Sequence, residues 1–317
     1  MSDLKQGLNQ DGKKLLPGEL EHVNCDFCSG NSYRVRYRKP DTWLWLTPLE
    51  YPVVECLDCG LVYVNPRPTP QAMPLFYPAE FFAGRDNAQF QKHYAIQIKF
   101  IPPLTREKVL DIGCANGDWL NFLKKQYPDI RCVGLDIYPR HISFEHIEYF
   151  RQPLPECDFG EQSFDLITAW AVMEHLHQPG AYFAAVAKNL KKGGKFIFLV
   201  TNSESLYGRK AYKEDVPRHL YHFSEKILRL YAEKFGFDFS HIEFNDRIWD
   251  GRGQGTFYYG LMSLLGVDWE TIHFKKVGVV RTQISRIGRI LDRIVFHTHW
   301  EAKRKASGII ICEFTKK

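Results

Sequence analysis

The fold of this 317-residue chain is decided by the stretch Val109-Leu110-Asp111-Ile112-Gly113-Cys114-Ala115-Asn116-Gly117-Asp118-Trp119-Leu120. An apolar run ends in small residues and resumes as an amphipathic segment, a pattern typical of a strand, a tight turn and a helix. Gly113 and Gly117 let the backbone bend sharply and approach a ligand closely, and the helix that follows presents amide groups to that ligand. The stretch therefore predicts a ligand-binding turn in an α/β sheet.

The turn differs from the fingerprint that binds dinucleotides, because the second and third glycines of that pattern fall on Ala115 and Asp118. Asp111, at the end of the predicted strand, would repel phosphate but attract the ammonium group of an amino acid. Asp136 ends the next apolar run, where a carboxylate can accept hydrogen bonds from both ribose hydroxyls. The pattern fits a ligand that combines a nucleoside with an amino acid and has no phosphate, which describes S-adenosylmethionine.

From roughly Arg106 to the C-terminus, the chain resembles the class I S-adenosylmethionine-dependent methyltransferases. Asp111, Gly113 and Gly117 meet their first motif, acid-x-Gly-x-Gly-x-Gly, and Ala115 stands at its middle glycine. Three later segments resemble, in order, the family's fourth strand, the helix entry after it, and the next turn and strand: Ser163–Trp170, Val172–Leu176 and Lys191–Val200. The resemblance implies a doubly wound, seven-stranded Rossmann-like α/β sheet.

The resemblance also implies a cofactor site at the turn and the neighbouring strand ends. The candidate cofactor-binding residues are Asp111, Gly113, Ala115, Gly117, Asp136, Ile137, Trp170 and Tyr77. Tyr77 belongs to an aromatic stretch, Met73 to Phe82, and in related enzymes such a segment closes over the cofactor as a lid. Packing of these rings as plain interdomain core is the alternative interpretation.

Composition sets broad limits on the function. A chain with 44% hydrophobic and 25% charged residues is typical of a soluble globular protein, and its length suffices for one large and one small domain. The net charge of +5 is too modest to indicate nucleic-acid binding by itself. No apolar run reaches membrane-spanning length and no N-terminal apolar stretch follows a basic start, so we expect a cytoplasmic protein.

Four of the eight cysteines form two closely spaced pairs, Cys25 with Cys28 and Cys56 with Cys59. Two such pairs can place four thiolates around one Zn²⁺ ion, and a cytosolic location disfavours disulfides. Two unrelated surface pairs, or a redox dithiol, are the alternatives. The segment between the pairs is too short for a large core, so zinc would supply stability. A closed four-sulfur site has no open coordination position, which predicts a structural role.

These features divide the chain into four predicted regions: a flexible tail (1–20), a zinc-ribbon-like module (21–68), an aromatic helical linker or lid (69–105), and a methyltransferase domain (106–317). An insertion at about 250–306 interrupts the last domain. The zinc knuckles, continued by Cys59–Thr69, resemble a bacterial subgroup of methyltransferases. That subgroup includes sugar C-methyltransferases and enzymes of natural-product and surface-polysaccharide pathways.

Methyl transfer from a sulfonium is an in-line displacement, and the protein adds a base only where the acceptor must lose a proton. His219 lies in Pro217–Ser224, which resembles a motif that zinc-knuckle methyltransferases place over the acceptor pocket, and it is the leading candidate base or acceptor-orienting group. His175 and Tyr221 are further catalytic candidates, and Arg218 could bind a phosphate or carboxylate of the substrate. For both histidines, holding a loop in place is the alternative role.

The insertion contains apolar residues at helical spacing with arginines between them: Val280, Ile284, Ile287, Leu291, Ile294 and Val295, with Arg281, Arg286, Arg289 and Arg293. The pattern predicts a basic amphipathic helix near 280–295. Such a helix could rest on an anionic membrane surface, grip an acidic or lipid-linked substrate, or form a dimer contact. Docking on its own domain with solvated arginines is the simpler alternative.

The sequence favours an S-adenosylmethionine-dependent methyltransferase of a small molecule, such as a sugar, nucleotide sugar, lipid or glycan intermediate. An RNA or protein methyltransferase is one alternative, since Arg34, Arg36 and Arg38 lie among aromatic residues of the zinc module. No extended polybasic run occurs, so a nucleic-acid partner is not expected. A noncatalytic regulatory subunit that binds S-adenosylmethionine is the other alternative.

Overall fold

The computed structural model describes residues 19–41, 49–77, 87–137, 146–205, 215–248, 256–265 and 279–317. Within them, no helix combines the length and the apolarity needed to cross a bilayer.

Five short strands precede the first helix of the described chain, and strands and helices are mixed after it. The strands are β1 (Leu20–Glu21), β2 (Tyr33–Pro40), β3 (Glu50–Cys56), β4 (Val62–Val64), β5 (Arg67–Pro68), β6 (Lys108–Ile112), β7 (Arg131–Leu135), β8 (Ile147–Phe150), β9 (Phe164–Trp170), β10 (Leu190–Thr201), β11 (Tyr221–His222), β12 (Phe237–Phe244) and β13 (Ile309–Lys316). The helices are α1 (Asn87–Gln97), α2 (Asp118–Gln126), α3 (Pro179–Asn189), α4 (Glu225–Lys234), α5 (Thr256–Leu264), α6 (Val279–His297) and α7 (Trp300–Lys303).

A seven-stranded sheet with the spatial order β12-β13-β10-β9-β6-β7-β8 forms the centre of the molecule. Strands β10, β9, β6, β7 and β8 are parallel, whereas β13 runs antiparallel between β10 and β12. The chain order reverses between β6 and β9, and in open α/β sheets ligands bind at the carboxyl ends of the strands beside such a reversal. The predicted seven-stranded Rossmann-like sheet is confirmed.

Alternate residues of the central strands face two separate cores, as the two-residue period of a strand requires. Leu110 and Phe198 belong to one core, and Val109 and Ile197 belong to the other. On the first face, the Phe183 ring of α3 stacks on the Tyr231 ring of α4, with centroids 4.6 Å apart. Because both faces are covered, the strands are apolar along nearly their whole length.

A smaller antiparallel sheet, with the order β11-β4-β3-β2, lies at the N-terminal side of the chain. Its fourth strand comes from the predicted methyltransferase domain, since Tyr221 pairs with Tyr63 and His222 pairs with Val62. The module predicted at 21–68 thus shares its sheet with a strand from the region predicted as the methyltransferase domain. Strand β4 is fully buried, and without β11 its apolar edge would be exposed.

Two further predicted boundaries also differ from the structure. Leu20 pairs with Pro68 in a short ribbon of β1 and β5, so the predicted tail boundary falls inside a strand. In the predicted lid, Met73–Phe76 forms a 3₁₀ turn, and the buried Phe76 ring packs edge-on against Tyr51 with centroids 6.1 Å apart. This part of the aromatic stretch is core, because its rings find apolar partners in the small sheet. Residues 78–86, including the rest of the stretch, lie outside the described residues.

The insertion between β12 and β13 contains α5, α6 and α7. The Asp292 carboxylate of α6 accepts hydrogen bonds from the amides of Phe257 and Tyr258 at 2.7 and 3.0 Å, and so caps the first turn of α5. Gly288 lies against the same turn, where an added Cβ would come within 2.7 Å of the Tyr258 Cα atom. Helix α6 is therefore docked on α5 through Gly288 and Asp292.

Candidate functional site

The shape of the turn after β6 is determined by its contacts with β7 and Val172. Gly113, Ala115 and Gly117 all have positive φ angles, of 71°, 51° and 79°. The amides of Gly113 and Cys114 donate to the Leu135 carbonyl at 2.7 and 2.9 Å, which ties the turn to β7. An added Cβ on Gly113 would lie 2.5 Å from a methyl carbon of Val172, so glycine is required there for packing as well as for the backbone angle.

Helix α2 begins directly after this turn. Gly117 is its N-cap residue and offers no side-chain cap, so the amides of the first helical turn are not capped by the protein's own side chain. The N-terminus of the helix therefore suits a ligand that carries hydrogen-bond acceptors.

Two carboxylates flank the turn from adjacent strands. Asp111 is the last residue but one of β6, is only 3% exposed, and accepts a 2.6 Å hydrogen bond from the Thr168 hydroxyl. Burial, together with the charge of Asp136, raises the pKa of Asp111 to about 8. Asp136 follows β7 and accepts a 3.0 Å hydrogen bond from the Ala115 amide. An ammonium group beside Asp111 would favour its charged form, so this pair suits a cationic ligand such as an aminoacyl group.

Thr168 was not among the residues that the sequence singled out. It lies opposite Asp111 in the register of β6 and β9, and its side chain points at the same carboxylate. The signal available in the sequence was a polar residue in the middle of the apolar run Leu166–Trp170 of β9, and its partner became evident only from the strand register.

Ile137 and Trp170 lie at the carboxyl ends of β7 and β9. Ile137 directly follows Asp136 and is 51% exposed, which leaves an apolar side chain beside the carboxylate. The Trp170 ring packs edge-on against Trp119, with centroids 5.5 Å apart, and its buried Nε1 atom has no hydrogen-bond partner in the described part of the chain. The strand ends thus combine acidic groups with apolar surface, as a nucleoside requires.

His175 links the predicted lid to the loop before β11. Its Nδ1 atom lies 3.0 Å from the Tyr77 hydroxyl and 3.0 Å from the Arg218 carbonyl oxygen. Because a carbonyl oxygen can only accept, Nδ1 carries the proton, and the Nε2 atom has the free lone pair. Burial and the neighbouring His219 lower the pKa of His175 to about 3, so the ring is neutral. These contacts support the loop-holding role that the sequence left open.

His219 lies beside a buried carboxylate. Its ring is 4.7 Å from the His175 ring, centroid to centroid, at an interplanar angle of 80°. One ligand atom each of Glu174, His175 and His219 lies within 4.8 Å of the others. Glu174 was not singled out from the sequence, although it directly precedes His175 at the end of the fourth strand. A carboxylate at this distance can stabilise a protonated imidazole.

The contacts of Arg218 do not fit the expected binding of a substrate phosphate or carboxylate. The side chain is fully buried, and its guanidinium contacts Asp215 Oδ1 at 2.5 Å and Asp41 Oδ1 at 2.9 Å. Burial opposes ionisation of Asp215, but the charge of Arg218 outweighs it and lowers the pKa of that carboxyl. Since two carboxylates already neutralise the guanidinium, Arg218 does not bind a substrate anion.

Tyr221 is likewise engaged elsewhere. Its hydroxyl accepts from Arg67 Nη1 at 2.9 Å and donates to the His177 carbonyl at 3.2 Å, and the ring is 1% exposed. Burial raises the pKa of the phenol above its ordinary value. A general base needs a free lone pair and a pKa near the working pH, so these contacts favour a structural role for Tyr221, and its catalytic role stays a prediction.

The four knuckle cysteines converge. The Sγ atoms of Cys25 and Cys59 are 3.5 Å apart, as are those of Cys28 and Cys56, and all four lie within 4.8 Å of one another. A tetrahedral zinc ion with Zn–S bonds of about 2.3 Å separates its sulfurs by roughly 3.8 Å. The donor set and its spacing therefore fit zinc, and the cluster excludes two unrelated surface pairs.

The first cysteine pair, Cys25 and Cys28, is held against helices α3 and α4 by the residues between its two cysteines. The Asp26 carboxylate accepts from the Gly180 amide at 2.8 Å and from the Tyr231 hydroxyl at 2.6 Å, so it contacts both α3 and α4. Lys234 donates to the Phe27 carbonyl at 2.5 Å. The cysteine cluster is thus rigidly connected to the helices that cover the central sheet.

Comparison with known proteins agrees with this geometry. Residues 87–242 match the family described as "Methyltransferase domain". A malonyl-[acyl-carrier protein] O-methyltransferase of Herminiimonas arsenicoxydans is 25% identical over 136 residues, which are 42% of this chain and 52% of the relative. A ubiquinone biosynthesis O-methyltransferase of Idiomarina loihiensis is 32% identical over 104 residues, which are 30% of this chain and 43% of the relative. The chain thus spans about half the length of these curated relatives.

A solved structure supports the fold. It is a chain from the complex between the Haloferax volcanii Trm112 methyltransferase activator and a methyltransferase. It aligns with a TM-score of 0.51 and 17% identity over 74% of this chain and 94% of that chain. From the family match, the strand order and the motif at Asp111, we conclude that the chain carries a class I S-adenosylmethionine-dependent methyltransferase domain.

Proposed function

We propose that the whole protein transfers the methyl group of S-adenosylmethionine to a small-molecule acceptor. The observation that carries this proposal is the pair of buried carboxylates, Asp111 and Asp136, on either side of the turn from Gly113 to Gly117. When bound, the cofactor supplies an electrophilic methyl group on a positively charged sulfur. The protein must then bind it, orient the acceptor and exclude water.

The cofactor-binding roles follow from the placement of the residues. Asp111 would hold the ammonium group, and Asp136 would accept from the ribose hydroxyls. Ile137 offers an apolar contact for the adenine ring. Trp170 would line the site at the carboxyl end of β9, where its ring packs against Trp119. Tyr77 would reach the site beside His175, since its hydroxyl lies 3.0 Å from the Nδ1 atom of that ring.

His219 is the proposed base. It would take a proton from an acceptor hydroxyl or acidic C–H group, and Glu174 would stabilise the imidazolium that forms. The acceptor would be a sugar, nucleotide sugar, lipid or glycan intermediate, as in the subgroup that the knuckles resemble. The curated relatives named above are O-methyltransferases, so acceptors with an ionisable oxygen are tested alongside the sugars.

We also propose that Cys25, Cys28, Cys56 and Cys59 bind one structural zinc ion. The support is the convergence of four sulfurs, three of them buried, within 4.8 Å of one another. Metal analysis of the purified protein should give about one zinc per chain. A metal-free protein of unchanged stability would contradict this proposal.

The first experiment is calorimetric titration with S-adenosylmethionine and S-adenosylhomocysteine, using wild type and Asp136→Ala. Binding that the variant loses supports the cofactor site. Absence of binding by folded, zinc-loaded wild type would reject it.

Turnover is then tested with nucleotide sugars first. His219→Ala should lower turnover about 10²- to 10⁴-fold and leave cofactor affinity unchanged, which is the range for loss of a general base. His241→Ala is the matched control, because that imidazole is 58% exposed and lies on β12. Equal activity of His219→Ala and wild type would leave the loop-holding role as the correct one.

RNA methylation is a weaker candidate. Strand β2 exposes Tyr33 and Val35, but Glu55 pairs with Arg34 at 3.0 Å and with Arg36 at 3.8 Å, which offsets the basic charge. An RNA-binding protein should lose affinity steeply as salt increases. A noncatalytic regulatory subunit would bind the cofactor but turn over none of the acceptors.

A further inference from the structure

Helix α6 presents a row of large apolar side chains to solvent. Ile287, Ile290 and Ile294 are 54%, 57% and 55% exposed, and their spacing places them along one side of the helix. Isolated exposed apolar residues are ordinary, but three in a row form a continuous patch. A patch of this kind marks a contact surface.

The opposite side of α6 is the docked side. Gly288 and Asp292 contact the first turn of α5, and the arrangement fixes how the helix is rotated about its axis. The isoleucine row therefore cannot turn inward without breaking the α5 cap. The isoleucines are exposed because the contacts of Gly288 and Asp292 with α5 fix the rotation of α6.

A row of arginines lies beside the isoleucines. Arg286, Arg289 and Arg293 are all exposed, and Arg289 also lies 5.0 Å from the centroid of the Tyr258 ring. Asp292 is the only acidic residue in the sequence of α6, and it is buried as the cap of α5. The outer side of the helix, which we call the Ile–Arg face, thus joins exposed apolar side chains to exposed arginines.

We propose that the Ile–Arg face binds the anionic surface of a lipid membrane, with α6 lying in the plane of the interface. The isoleucines would enter the boundary of the acyl chains, and the arginines would contact lipid phosphates. A second copy of the chain is a poorer occupant, because a two-fold contact through this face would bring the two arginine rows together. The inference concerns where the protein binds and does not depend on its methyl acceptor.

The test is vesicle flotation of the full-length, zinc-loaded protein. One set of vesicles is phosphatidylcholine alone, and the other contains two parts phosphatidylcholine to one part phosphatidylglycerol. The charge variant is Arg286→Glu, Arg289→Glu and Arg293→Glu, and the apolar variant is Ile287→Gln, Ile290→Gln and Ile294→Gln. The matched control, Lys125→Glu, Arg131→Glu and Lys192→Glu, changes the net charge equally at exposed positions on other elements.

Wild type should float with the anionic vesicles and not with phosphatidylcholine alone. Reversing the three arginines should weaken binding by on the order of a hundredfold or more, since each basic residue near an anionic surface contributes about a factor of five. The apolar variant should also lose binding, while the control should keep it. All variants must retain wild-type thermal stability, which separates lost binding from lost folding.

Three results would overturn the proposal. Equal loss in the control and the charge variant would mean that net charge alone attracts the protein. Undiminished binding of the apolar variant would exclude insertion of the isoleucines. Absence of flotation together with a concentration-dependent dimer, abolished in the apolar variant, would identify a second copy as the occupant.

Discussion

At the scale of single residues, the buried Asp111 carboxyl makes the apo protein sensitive to pH. Burial raises its pKa to about 8, so between about pH 4 and pH 8 the folded state holds a proton that the unfolded state releases. Stability must therefore fall as pH rises through this window. Asp111→Asn should remove that slope and stabilise the apo protein by up to about 5 kcal/mol at about pH 8.

Denaturant unfolding of wild type and Asp111→Asn at about pH 5 and pH 8 checks this expectation. Cofactor affinity should move the other way, because the ammonium group binds the ionised carboxylate more strongly and wild-type affinity should rise towards pH 8. An identical pH slope in the two proteins would show that Asp111 is not the titrating group.

The Thr168 hydroxyl is expected to support the ionised form of Asp111. Thr168→Val removes the 2.6 Å hydrogen bond and leaves the carboxylate buried without this donor, so S-adenosylmethionine should bind about 10- to 100-fold more weakly. Thr201→Val is the control, since the buried Thr201 hydroxyl has no hydrogen-bond partner among the described residues. Calorimetric titration of both variants provides the comparison.

Arg218 is the residue whose loss should most damage the fold. Arg218→Met leaves Asp41 and Asp215 buried without their shared counter-charge, which should lower the free energy of unfolding by about 3–5 kcal/mol. Chemical denaturation measures this loss. A loss as small as that from removing an exposed arginine, such as Arg229 on α4, would contradict it.

The residues Arg218 and Tyr221 also show what local sequence could not predict. Both occur in a segment with strong catalytic character, where an arginine and a tyrosine are ordinary substrate ligands. Arg218 pairs with the nearby Asp215, but its second partner Asp41, and the partner Arg67 of Tyr221, lie more than 140 positions earlier in the chain. Side-chain type indicated the chemistry that each residue could do, but long-range packing brought these distant partners to them.

At the scale of elements, strand β11 connects the cysteine cluster to the loop of His219. The Val64 amide donates to the Leu220 carbonyl at 2.9 Å, so the residue after His219 is hydrogen-bonded to β4 of the smaller antiparallel sheet. Chelation of the proposed zinc should therefore increase amide exchange of 219–223, while exchange in β6 and β7 stays slow. Cofactor binding should survive, because the turn at Gly113 is held by β7.

Hydrogen exchange with mass spectrometry, before and after chelation, measures this effect directly. Uniform loss of protection across the central sheet would mean that the metal stabilises the whole fold, and unchanged protection of 219–223 would mean that β11 holds its place without the metal.

Elements with strong periodicity were predictable from sequence, and elements without it were not. Strand β6, the turn and α2 combine an apolar run, two glycines with positive φ and an amphipathic helix, and each signal is local. Strand β11 has two residues and no period that a sequence could display. Its pairing with β4 follows from the need to bury that edge, which no local pattern records.

At the scale of the whole molecule, the order of motifs predicted the central sheet, since each strand-turn-helix unit fixes its neighbour through a short crossover. The division into domains was less predictable. The cysteine spacing indicated the cluster correctly, but Asp26, Tyr231 and β11 join it to the large domain, and one hydrophobic core runs through both.

The pairing of β4 with β11 also has a consequence for synthesis of the protein on the ribosome. About half of the chain separates the two strands, so β4 emerges roughly 10–30 s before its partner. During that interval, Val62 and Val64 lie on an open apolar edge of the kind that nascent-chain chaperones cover. Early capture of a metal by the cysteines would hold the hairpin in register while it waits, so zinc scarcity should reduce the yield of folded protein more than the stability of protein already made.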